Sequence, residues 1–273
     1  MKRLWLIWVF LLAACSAPTH LITTPTPLPP ATTPQIIHIA CPEDLVPLMM
    51  SLAASYQRDV PDVKITVMSR ANMLAYDALQ QGDADIAVFN WLPTNVPTTL
   101  WSTPFARDGL AIIVNPQNGL PGLTMEQLRQ LFQGQTENWE SWGGLPGAPQ
   151  IVSREEAAGM HQFFQRSVMR DVRVTLTALL APDCESMLTL IKEDSLAVGY
   201  VSAAWLNDGV RALAIDGIPP SAETIAARVY PLTYDVHLAM WHEPQGASRD
   251  FIQWVLDSQG QGLVVAHGLQ SSQ

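Results

Sequence analysis

The stretch Ile151–Phe164 contains the residues best suited to holding an anion. An apolar strand ends in a charged loop, after which Ala158, Gly159 and Met160 open an amphipathic helix. The first turn of a helix leaves backbone N–H groups without intrahelical acceptors, and the helix dipole adds positive potential there. The sequence therefore predicts an oxyanion site made of these N–H groups and the planar donor fork of Arg154. An ordinary strand-to-helix junction, with Arg154 in a surface ion pair, fits the same residues.

Enzyme motifs are missing from the sequence, which has no G-x-S-x-G elbow, no H-E-x-x-H motif and no P-loop. The cysteines lack paired metal spacing, and His237 and His242 suit packing or surface positions better than metal ligation. His161 lies on the first turn of the predicted helix, where it would face an anion, but the helix dipole disfavours its protonated form. We therefore expect a protein that is not an enzyme, with no cofactor and no metal site.

The elements that would position the anion site alternate between short strands and amphipathic helices. This alternation is typical of an α/β architecture with mainly parallel strand pairing. The clearest helix covers residues 125–133, where Thr124 is a plausible N-cap, Gln127 completes a capping box and Gly134 ends the helix. The chain beyond residue 35 is long enough for two modest lobes.

Further motifs follow one another in a characteristic order. They are Asp108-Gly-Leu-Ala-Ile-Ile-Val-Asn-Pro116, Gly122-Leu-Thr-Met-Glu-Gln-Leu-Arg-Gln-Leu-Phe-Gln-Gly134, Asn138-Trp-Glu-Ser-Trp-Gly-Gly144, Ser153-Arg-Glu-Glu-Ala-Ala-Gly-Met160, Ala197-Val-Gly-Tyr-Val-Ser202, Ile215-Asp-Gly-Ile-Pro-Pro-Ser221 and a closing helix from Phe251 to Gly268. This order resembles that of the substrate-binding proteins of phosphate ABC importers. The resemblance covers most of residues 36 to 268.

The resemblance implies a two-lobed periplasmic-binding-protein-like fold of type 2, with a cleft between the lobes. Lobe one would comprise residues 36–107 plus 225–273, and lobe two residues 108–224. The crossing strands near 107–114 and 228–240 would form the hinge. Solute binding would then shift the population towards a closed form that a transporter recognises.

The chain departs from this family where the anion would bind. Where the family has Ser-Gly-Thr, this sequence has Ala158-Gly159-Met160. Hydrogen bonds to charged groups are worth roughly 1.5–3 kcal/mol each, so the loss of two hydroxyls would weaken phosphate binding about 10²–10⁴-fold. Arg154 and the backbone N–H groups remain, and Met160→Thr is expected to strengthen the response to phosphate.

Three other loops are candidate ligand contacts by the same resemblance. They carry Asp44 and Leu45 after the first strand, Arg70 after the second and Asn90 after the third. Glu43 and Asp44 equally suit the N-terminus of the helix from about 46 to 58, and Arg70 equally suits an exposed surface. A carboxylate that faced the cleft would repel a dianion, and would favour a protonated oxyanion or a ligand with donors of its own.

The first 15 residues have the pattern of a bacterial lipoprotein signal. Two basic residues precede the apolar run Leu4–Leu12, and Leu-Ala-Ala-Cys15 fits a lipobox, although cleavage at another position is an alternative. Cys15 is therefore the expected lipid anchor, and residues 16–35, rich in Pro and Thr, the expected linker. The predicted location is extracytoplasmic and membrane-anchored, at the cell surface or in the periplasm.

Cys41 and Cys184 remain as cysteines of the folded part. The resemblance places them on opposite lobes near the cleft, where a disulfide would oppose lobe motion. We expect two separate small buried thiols, with a disulfide as the alternative.

The formal net charge of −10 repels phosphate and nucleic acid at long range, so any anion site must act locally. The sequence therefore predicts a monomeric solute-binding protein for phosphate or a related oxyanion, with an ABC permease as partner and no nucleic acid. Because Met160 and Trp91 make the predicted pocket less polar, another oxyanion or a small organic acid is an alternative ligand. A cell-surface sensor or scaffold that kept the fold without uptake is an alternative function.

Overall fold

The structure is a computed structural model that describes residues 34–92, 97 and 99–272. The predicted anchor Cys15 and nearly all of the predicted 16–35 linker lie outside the described residues. Within the described ranges, no helix is long and apolar enough to cross a membrane.

Strands and helices alternate along the described chain, as the sequence pattern predicted. The strands are β1 (Gln35–Cys41), β2 (Val63–Ser69), β3 (Ile86–Phe89), β4 (Trp101–Val114), β5 (Gly122–Leu123), β6 (Gln150–Arg154), β7 (Leu179–Ala181), β8 (Ala197–Ser202), β9 (Arg211–Ala212), β10 (Ala214–Ile215), β11 (Thr233–Met240) and β12 (Gln270–Ser271). The helices are α1 (Val46–Asp59), α2 (Asn72–Gln81), α3 (Met125–Phe132), α4 (Gly159–Phe164), α5 (Cys184–Glu193), α6 (Ala222–Ala226), α7 (Gly246–Leu256) and α8 (Ser258–Ala266). Short 3₁₀ turns cover Glu43–Leu45, Trp139–Trp142 and Ala203–Trp205, and a π-helical segment, Gln165–Met169, continues α4.

The main sheet runs in the order β2-β1-β3-β11-β4-β8-β6-β7. At one end β1 pairs in parallel with β2 and β3, and at the other end β6 pairs in parallel with β7 and β8. Between them, β11 and β4 run antiparallel to their neighbours. Strands covered on both faces are mainly apolar, and β3 and β8 are buried at every position.

Strand β4 changes its neighbour partway along its length. It pairs with β11 as far as Gly109 and with β8 from Leu110 onward. The backbone is closely packed at Gly109, because a Cβ there would lie 2.8 Å from Ile225 Cδ1 and would require that side chain to shift. The sheet therefore divides into a first strand group (β2, β1, β3, β11 and β4 up to Gly109) and a second strand group (β4 from Leu110, β8, β6 and β7). One apolar core includes buried side chains of both groups, among them Phe105 and Tyr200.

Helix α3 follows its sequence signals closely. Thr124 Oγ1 accepts a hydrogen bond from Gln127 N at 3.1 Å, and Gln127 Oε1 accepts one from Thr124 N at 2.8 Å. The predicted capping box is confirmed. Gly134 follows with a φ of 76°, the left-handed conformation that ends many helices.

The predicted closing helix from Phe251 to Gly268 is wrong in one respect, because the chain forms two helices, α7 and α8. Asp257 adopts an extended backbone between them, and its carboxylate accepts from Gln259 N at 2.8 Å and Gly260 N at 3.1 Å. Asp257 is therefore the N-cap of α8, and it starts a second helix where the resemblance implied a single one.

The loops predicted to bind a ligand follow the carboxyl ends of strands. Glu43 follows β1, Arg70 follows β2, Asn90 follows β3 and Arg154 is the last residue of β6. In open α/β sheets, ligands bind in the crevice outside the carboxyl ends of the strands. The topology thus brings these loops to one place.

Candidate functional site

A cavity of about 270 Å³ lies where the loops after β1 and β2 meet the loop after β6. Of the residues predicted to bind ligand, its lining includes Asp44, Arg70, Arg154, Ala158, Gly159 and Met160. Glu43, Ser69, Leu74, Glu155 and Pro182 line it as well. The cavity therefore lies between the first and second strand groups, with both acidic and basic side chains in its wall.

Arg154 is buried, with 2% of its surface exposed, and its guanidinium lies within the wall of the cavity. Its Nη2 donates to Glu43 Oε1 at 2.6 Å and to the Pro182 carbonyl at 3.0 Å, while Nη1 lies 3.7 Å from Cys184 Sγ. Its Nε is buried and has no hydrogen-bond partner. Burial lowers the pKa of Arg154, but the charge and hydrogen bond of Glu43, together with the effects of Cys184 and Asp44, more than reverse this, so the pKa is raised and the guanidinium stays protonated.

The Glu43–Arg154 ion pair joins the first strand group to the second. The Glu43 side chain is 32% exposed, so the pair is partly accessible from the acidic side. Its carboxylate occupies the donor fork that the sequence predicted for an anionic ligand. Arg154 does form an ion pair, but not at the surface as the alternative predicted, because the arginine is buried and the pair lies at the cavity.

The backbone donors at the start of α4 divide into two sets. The N–H of Ala158 donates to the Glu155 carbonyl at 3.0 Å within a turn, so this predicted donor is not free. No hydrogen bond among the described residues engages the N–H of Gly159 or of Met160. The predicted ligand contact through the Ala158 N–H is therefore wrong, although Ala158 lines the cavity. The N–H groups of Gly159 and Met160 remain as donors for a ligand.

Gly159 allows the two strand groups to approach closely. A Cβ at this position would lie 2.4 Å from Asn90 Oδ1 and 3.0 Å from Asn72 Oδ1. Both asparagines are fully buried, and neither Oδ1 has a hydrogen-bond partner. Asn90 was predicted as a ligand contact, but its amide lies behind Gly159 and donates to the Asp44 carboxylate at 3.2 and 3.3 Å.

The predicted place of Glu43 and Asp44 at a helix N-terminus is confirmed, although the stabilisation there is electrostatic and not a side-chain cap. Both lie in the 3₁₀ turn before α1, and neither this turn nor α1 has a side-chain cap. The predicted ligand contact at Leu45 is wrong, because its side chain is buried in the core and its N–H donates to the Pro42 carbonyl at 3.1 Å. Arg70 is exposed and lines the cavity, with Nη1 donating to the Ser69 carbonyl at 3.1 Å.

Burial raises the pKa of Asp44 to about 7, and the charges of Glu43 and Asp108 add to this effect. The Asp44 carboxyl, which lines the cavity, therefore gains or loses its proton near neutral pH. Asp108 is buried near it and accepts from Gly109 N at 2.7 Å and Tyr234 OH at 2.9 Å. Burial also raises the pKa of Asp108, against the opposing effect of these hydrogen bonds.

Unfolding experiments at different pH values test the state of Asp44. Between its unfolded pKa near 4 and its folded pKa of about 7, the folded protein keeps a proton that the unfolded chain has released. The free energy of unfolding should therefore decrease, by roughly 2 to 4 kcal/mol, as the pH rises through this window. Urea unfolding of the wild type and of Asp44→Asn at several pH values measures the effect. The variant should lose the Asp44 contribution and keep those of Asp108, which has the same sign, and of His161 and His237, whose pKa values are lowered by burial and act in the opposite direction. An unchanged slope would contradict the assignment.

Cys41 and Cys184 are both free and buried, in agreement with the prediction of two separate thiols. Cys184 Sγ lies 3.5 Å from Glu43 Oε1 and 3.7 Å from Arg154 Nη1, so it packs against the ion pair. Burial raises the pKa of the Cys184 thiol, which keeps it uncharged beside the glutamate.

A larger groove, of about 730 Å³, is lined by Trp91, His161 and the arginines Arg166, Arg170 and Arg173. Trp91 therefore does not cover the smaller cavity, and its ring instead faces the Arg166 guanidinium carbon at 5.7 Å. His161 is directed inward, with Nδ1 3.3 Å from Tyr200 OH, and burial lowers its pKa. The smaller cavity is the better anion site, because it combines a buried guanidinium with free amide donors.

The fold and the cavity define the class of protein. A mixed α/β chain with two strand groups, a long connecting strand and a cavity at the strand ends has the two-lobed, periplasmic-binding-protein-like fold that the sequence predicted. The sequence matches the PBP superfamily domain over residues 28–259, and the chain belongs to this family.

Comparison with known proteins gives the same relationship. The phosphate-binding protein PstS of Bacillus subtilis is 24% identical over 225 residues, which covers 80% of this chain and 74% of that protein. An ABC-type phosphate transport receptor from Vibrio cholerae matches with a TM-score of 0.77 at 28% identity, over 86% of this chain and 99% of that one. A putative phosphate ABC transporter substrate-binding protein from Clostridium perfringens, with bound phosphate, matches with a TM-score of 0.80 at 22% identity, over 88% of this chain and 100% of that one. The predicted family resemblance is confirmed, and with it the prediction of a binding protein that is not an enzyme.

Proposed function

We propose that the protein is the lipid-anchored, extracytoplasmic solute-binding component of an ABC importer, and that it binds phosphate or a related oxyanion between its lobes. The position of Arg154 carries this proposal, because a guanidinium that is 2% exposed lines a cavity beside the free N–H groups of Gly159 and Met160. Buried charge-assisted donors of this kind suit an oxyanion. The PstS protein and the phosphate transport receptor to which the chain is similar support phosphate as the reference ligand. The anchor and the location rest on the signal pattern that ends at Cys15.

Two lobes with the predicted boundaries, 36–107 plus 225–273 and 108–224, account for the change of neighbour along β4. The hinge would include Gly109, where pairing with β11 ends. Across the cleft, Glu43 is paired with Arg154, and Trp205 Nε1 donates to the Asp44 carbonyl at 2.9 Å. These contacts hold the lobes in a closed arrangement.

The closed arrangement leaves several buried polar atoms without a hydrogen-bond partner. Asn72 Oδ1, Asn90 Oδ1 and Arg154 Nε are all buried without a hydrogen-bond partner. Each such atom costs about 1–3 kcal/mol, and opening of the lobes would return it to water. A ligand that accepts from Arg154 Nε removes one of these costs in the closed form. The expected behaviour is therefore an equilibrium that an anion shifts towards closure.

Glu43 determines which anions can bind, because an incoming oxyanion must displace its carboxylate from Arg154. Both Glu43 and Asp44 line the cavity, so a fully ionised dianion meets like charge there. An oxyanion that keeps a proton can instead donate to a carboxylate. We therefore expect a protonated oxyanion to bind better than sulfate, which has no proton to donate at neutral pH.

A thermal-shift screen of the mature protein tests this function against phosphate, sulfate, molybdate, phosphonates and carboxylates. A ligand at 100 times its Kd stabilises the folded state by roughly 2.7 kcal/mol, which is easily measured as a rise in Tm. Phosphate or a phosphonate should raise Tm more than sulfate. An absence of any shift with every oxyanion at high millimolar concentration would contradict an anion site.

A small organic acid is the second candidate ligand for the same cavity. Met160 and Leu74 line it together with Ala158, where the family has a hydroxyl, so one side of the wall is apolar. A larger Tm rise with a carboxylate than with phosphate would favour this candidate.

Restoring one hydroxyl at the cavity is expected to strengthen phosphate binding. Ala158 is the N-cap of α4, has no side-chain cap bond and lines the cavity, so Ala158→Ser places a donor beside the ligand. The Kd for phosphate should fall about tenfold, as one hydrogen bond to a charged group predicts. Titration calorimetry measures the change, with Ala247→Ser in the first turn of α7 as the control. An unchanged Kd in Ala158→Ser would place the anion elsewhere.

The substitution Met160→Thr should change the stability of the protein as well as its affinity for phosphate. Met160 is 2% exposed, and its Sδ lies 3.8 Å from Tyr234 OH. The substitution therefore removes packed side-chain volume as well as adding a hydroxyl, so a stronger phosphate response should be accompanied by a lower Tm without ligand.

A further inference from the structure

The wall of the cavity contains charges of both signs. Among the described residues, its lining includes the carboxyl groups of Glu43, Asp44 and Glu155 and the guanidinium groups of Arg70 and Arg154. Positive charge does not exceed negative charge in this lining, whether or not Asp44 is protonated. A ligand that carries charges of both signs therefore matches this cavity more fully than a ligand that is only an anion.

The cost of binding a bare anion follows from the Glu43–Arg154 pair. An oxyanion that takes Arg154 releases the Glu43 carboxylate next to Asp44, the following residue in the chain. Glu43 would then keep one close polar contact across the cleft, the uncharged Cys184 thiol at 3.5 Å. A partly buried charge without a partner is disfavoured. An anion alone would pair with Arg154 but would leave Glu43 without a counter-charge.

We propose that the cavity binds a zwitterion, a small molecule that carries an oxyanion group and, two or three bonds away, an ammonium group. This inference rests on the proposed function and specifies its ligand class. The oxyanion replaces Glu43 on Arg154, and the ammonium replaces Arg154 on Glu43, with Asp44 beside it. Glu43 and Arg154 then each keep an opposite charge.

The donors of Arg154 fit the oxyanion half of such a ligand. Nε and Nη2 share one edge of the guanidinium. Nε is buried without a partner, and displacement of Glu43 frees one of the two Nη2 hydrogens, the other being held by the Pro182 carbonyl. That edge binds two oxygens of one oxyanion side by side, while the N–H groups of Gly159 and Met160 lie in the same wall. Leu74 supplies apolar surface for the carbon atoms between the two charged groups.

The size of the cavity agrees with a ligand of few atoms. Its volume of about 270 Å³ lies just below the roughly 300–1,000 Å³ of pockets for larger organic ligands. A two-carbon spacer between the charged groups is therefore a suitable probe length.

Titration calorimetry of the mature protein with a matched pair of probes tests the inference. The probes are 2-aminoethylphosphonate and propylphosphonate, in which a methyl group replaces the ammonium and the phosphonate is retained. The zwitterion should bind at least tenfold more tightly. Equal binding, or tighter binding of propylphosphonate, overturns the inference and leaves the anion site of the proposed function intact. No binding of either probe, or of phosphate, overturns both.

A variant assigns the ammonium contact to Glu43. Glu43→Gln should bring the affinity ratio of the two probes close to one, because the amide cannot pair with a cation. Glu185→Gln, an exposed position outside the cavity lining, changes the net charge equally and should keep the wild-type ratio. A wild-type ratio in Glu43→Gln overturns the assignment. The wild-type comparison of the two probes tests the inference even if the variant folds poorly.

Discussion

Replacing Arg154 with alanine is expected to abolish the rise in Tm that phosphate or a phosphonate produces. The guanidinium supplies the charged donors of the cavity wall, and Nε and Nη2 together offer a two-point contact. Two charge-assisted hydrogen bonds of roughly 1.5–3 kcal/mol each correspond to a loss of about 10²–10⁴-fold in affinity. Titration calorimetry on the variant should therefore show no measurable heat at ligand concentrations that saturate the wild type.

Two further variants separate the geometry of Arg154 from its charge. Arg154→Lys keeps the positive charge but loses the planar fork, so it should bind weakly and recover only part of the affinity. Arg228→Ala removes an arginine whose ion pair with Asp235 lies outside the cavity, and it should bind as the wild type does. Wild-type affinity in Arg154→Ala would show that the anion binds at another place.

Replacing Glu43 with glutamine is expected to change ligand affinity and stability in opposite directions. Without the carboxylate, the Arg154 fork no longer has an internal competitor, and phosphate should bind at least tenfold more tightly. The same change leaves a buried guanidinium without its counter-charge, which lowers the Tm of the protein without ligand. Phosphate should then raise Tm by more than it does in the wild type.

The opposite changes in phosphate affinity and in Tm distinguish this role of Glu43 from two simpler ones. A residue that only stabilises the fold would lower Tm without increasing affinity. A residue that only binds ligand would lower affinity when it is changed. Glu185→Gln again controls for net charge and should leave both quantities as they are. Weaker phosphate binding in Glu43→Gln would contradict the role of Glu43 as a competitor for Arg154.

Local sequence signals predicted the elements that position the site. Thr124 and Gln127 formed their capping box as expected, because capping depends on residues three positions apart in the chain. The closing helix was predicted as one piece from the family resemblance, and the local signal against it was the capping carboxylate of Asp257. The resemblance to the importer proteins gave the fold, which the family match confirms.

The main contact of the site could not be predicted from the same signals. Glu43 and Arg154 are separated by 111 positions, and their pairing depends on how two loops from different strand groups meet. The sequence explained Glu43 by its place at a helix N-terminus, and that explanation gave no sign of a partner across the cleft. Asn72 was missed as an interface residue for a similar reason, since its burial against Gly159 arises only when the strand groups approach. The departure from Ser-Gly-Thr at Ala158–Met160 predicts a changed ligand preference, which the binding experiments above test.

A crystal structure of the protein grown with saturating phosphonate tests the central claim most directly. The predicted result is an oxyanion bonded to Arg154 Nε and Nη2 and to the N–H groups of Gly159 and Met160, with the Glu43 carboxylate turned away from the guanidinium. An intact Glu43–Arg154 pair at 2.6 Å, with the phosphonate bound at another surface or not at all, would contradict it.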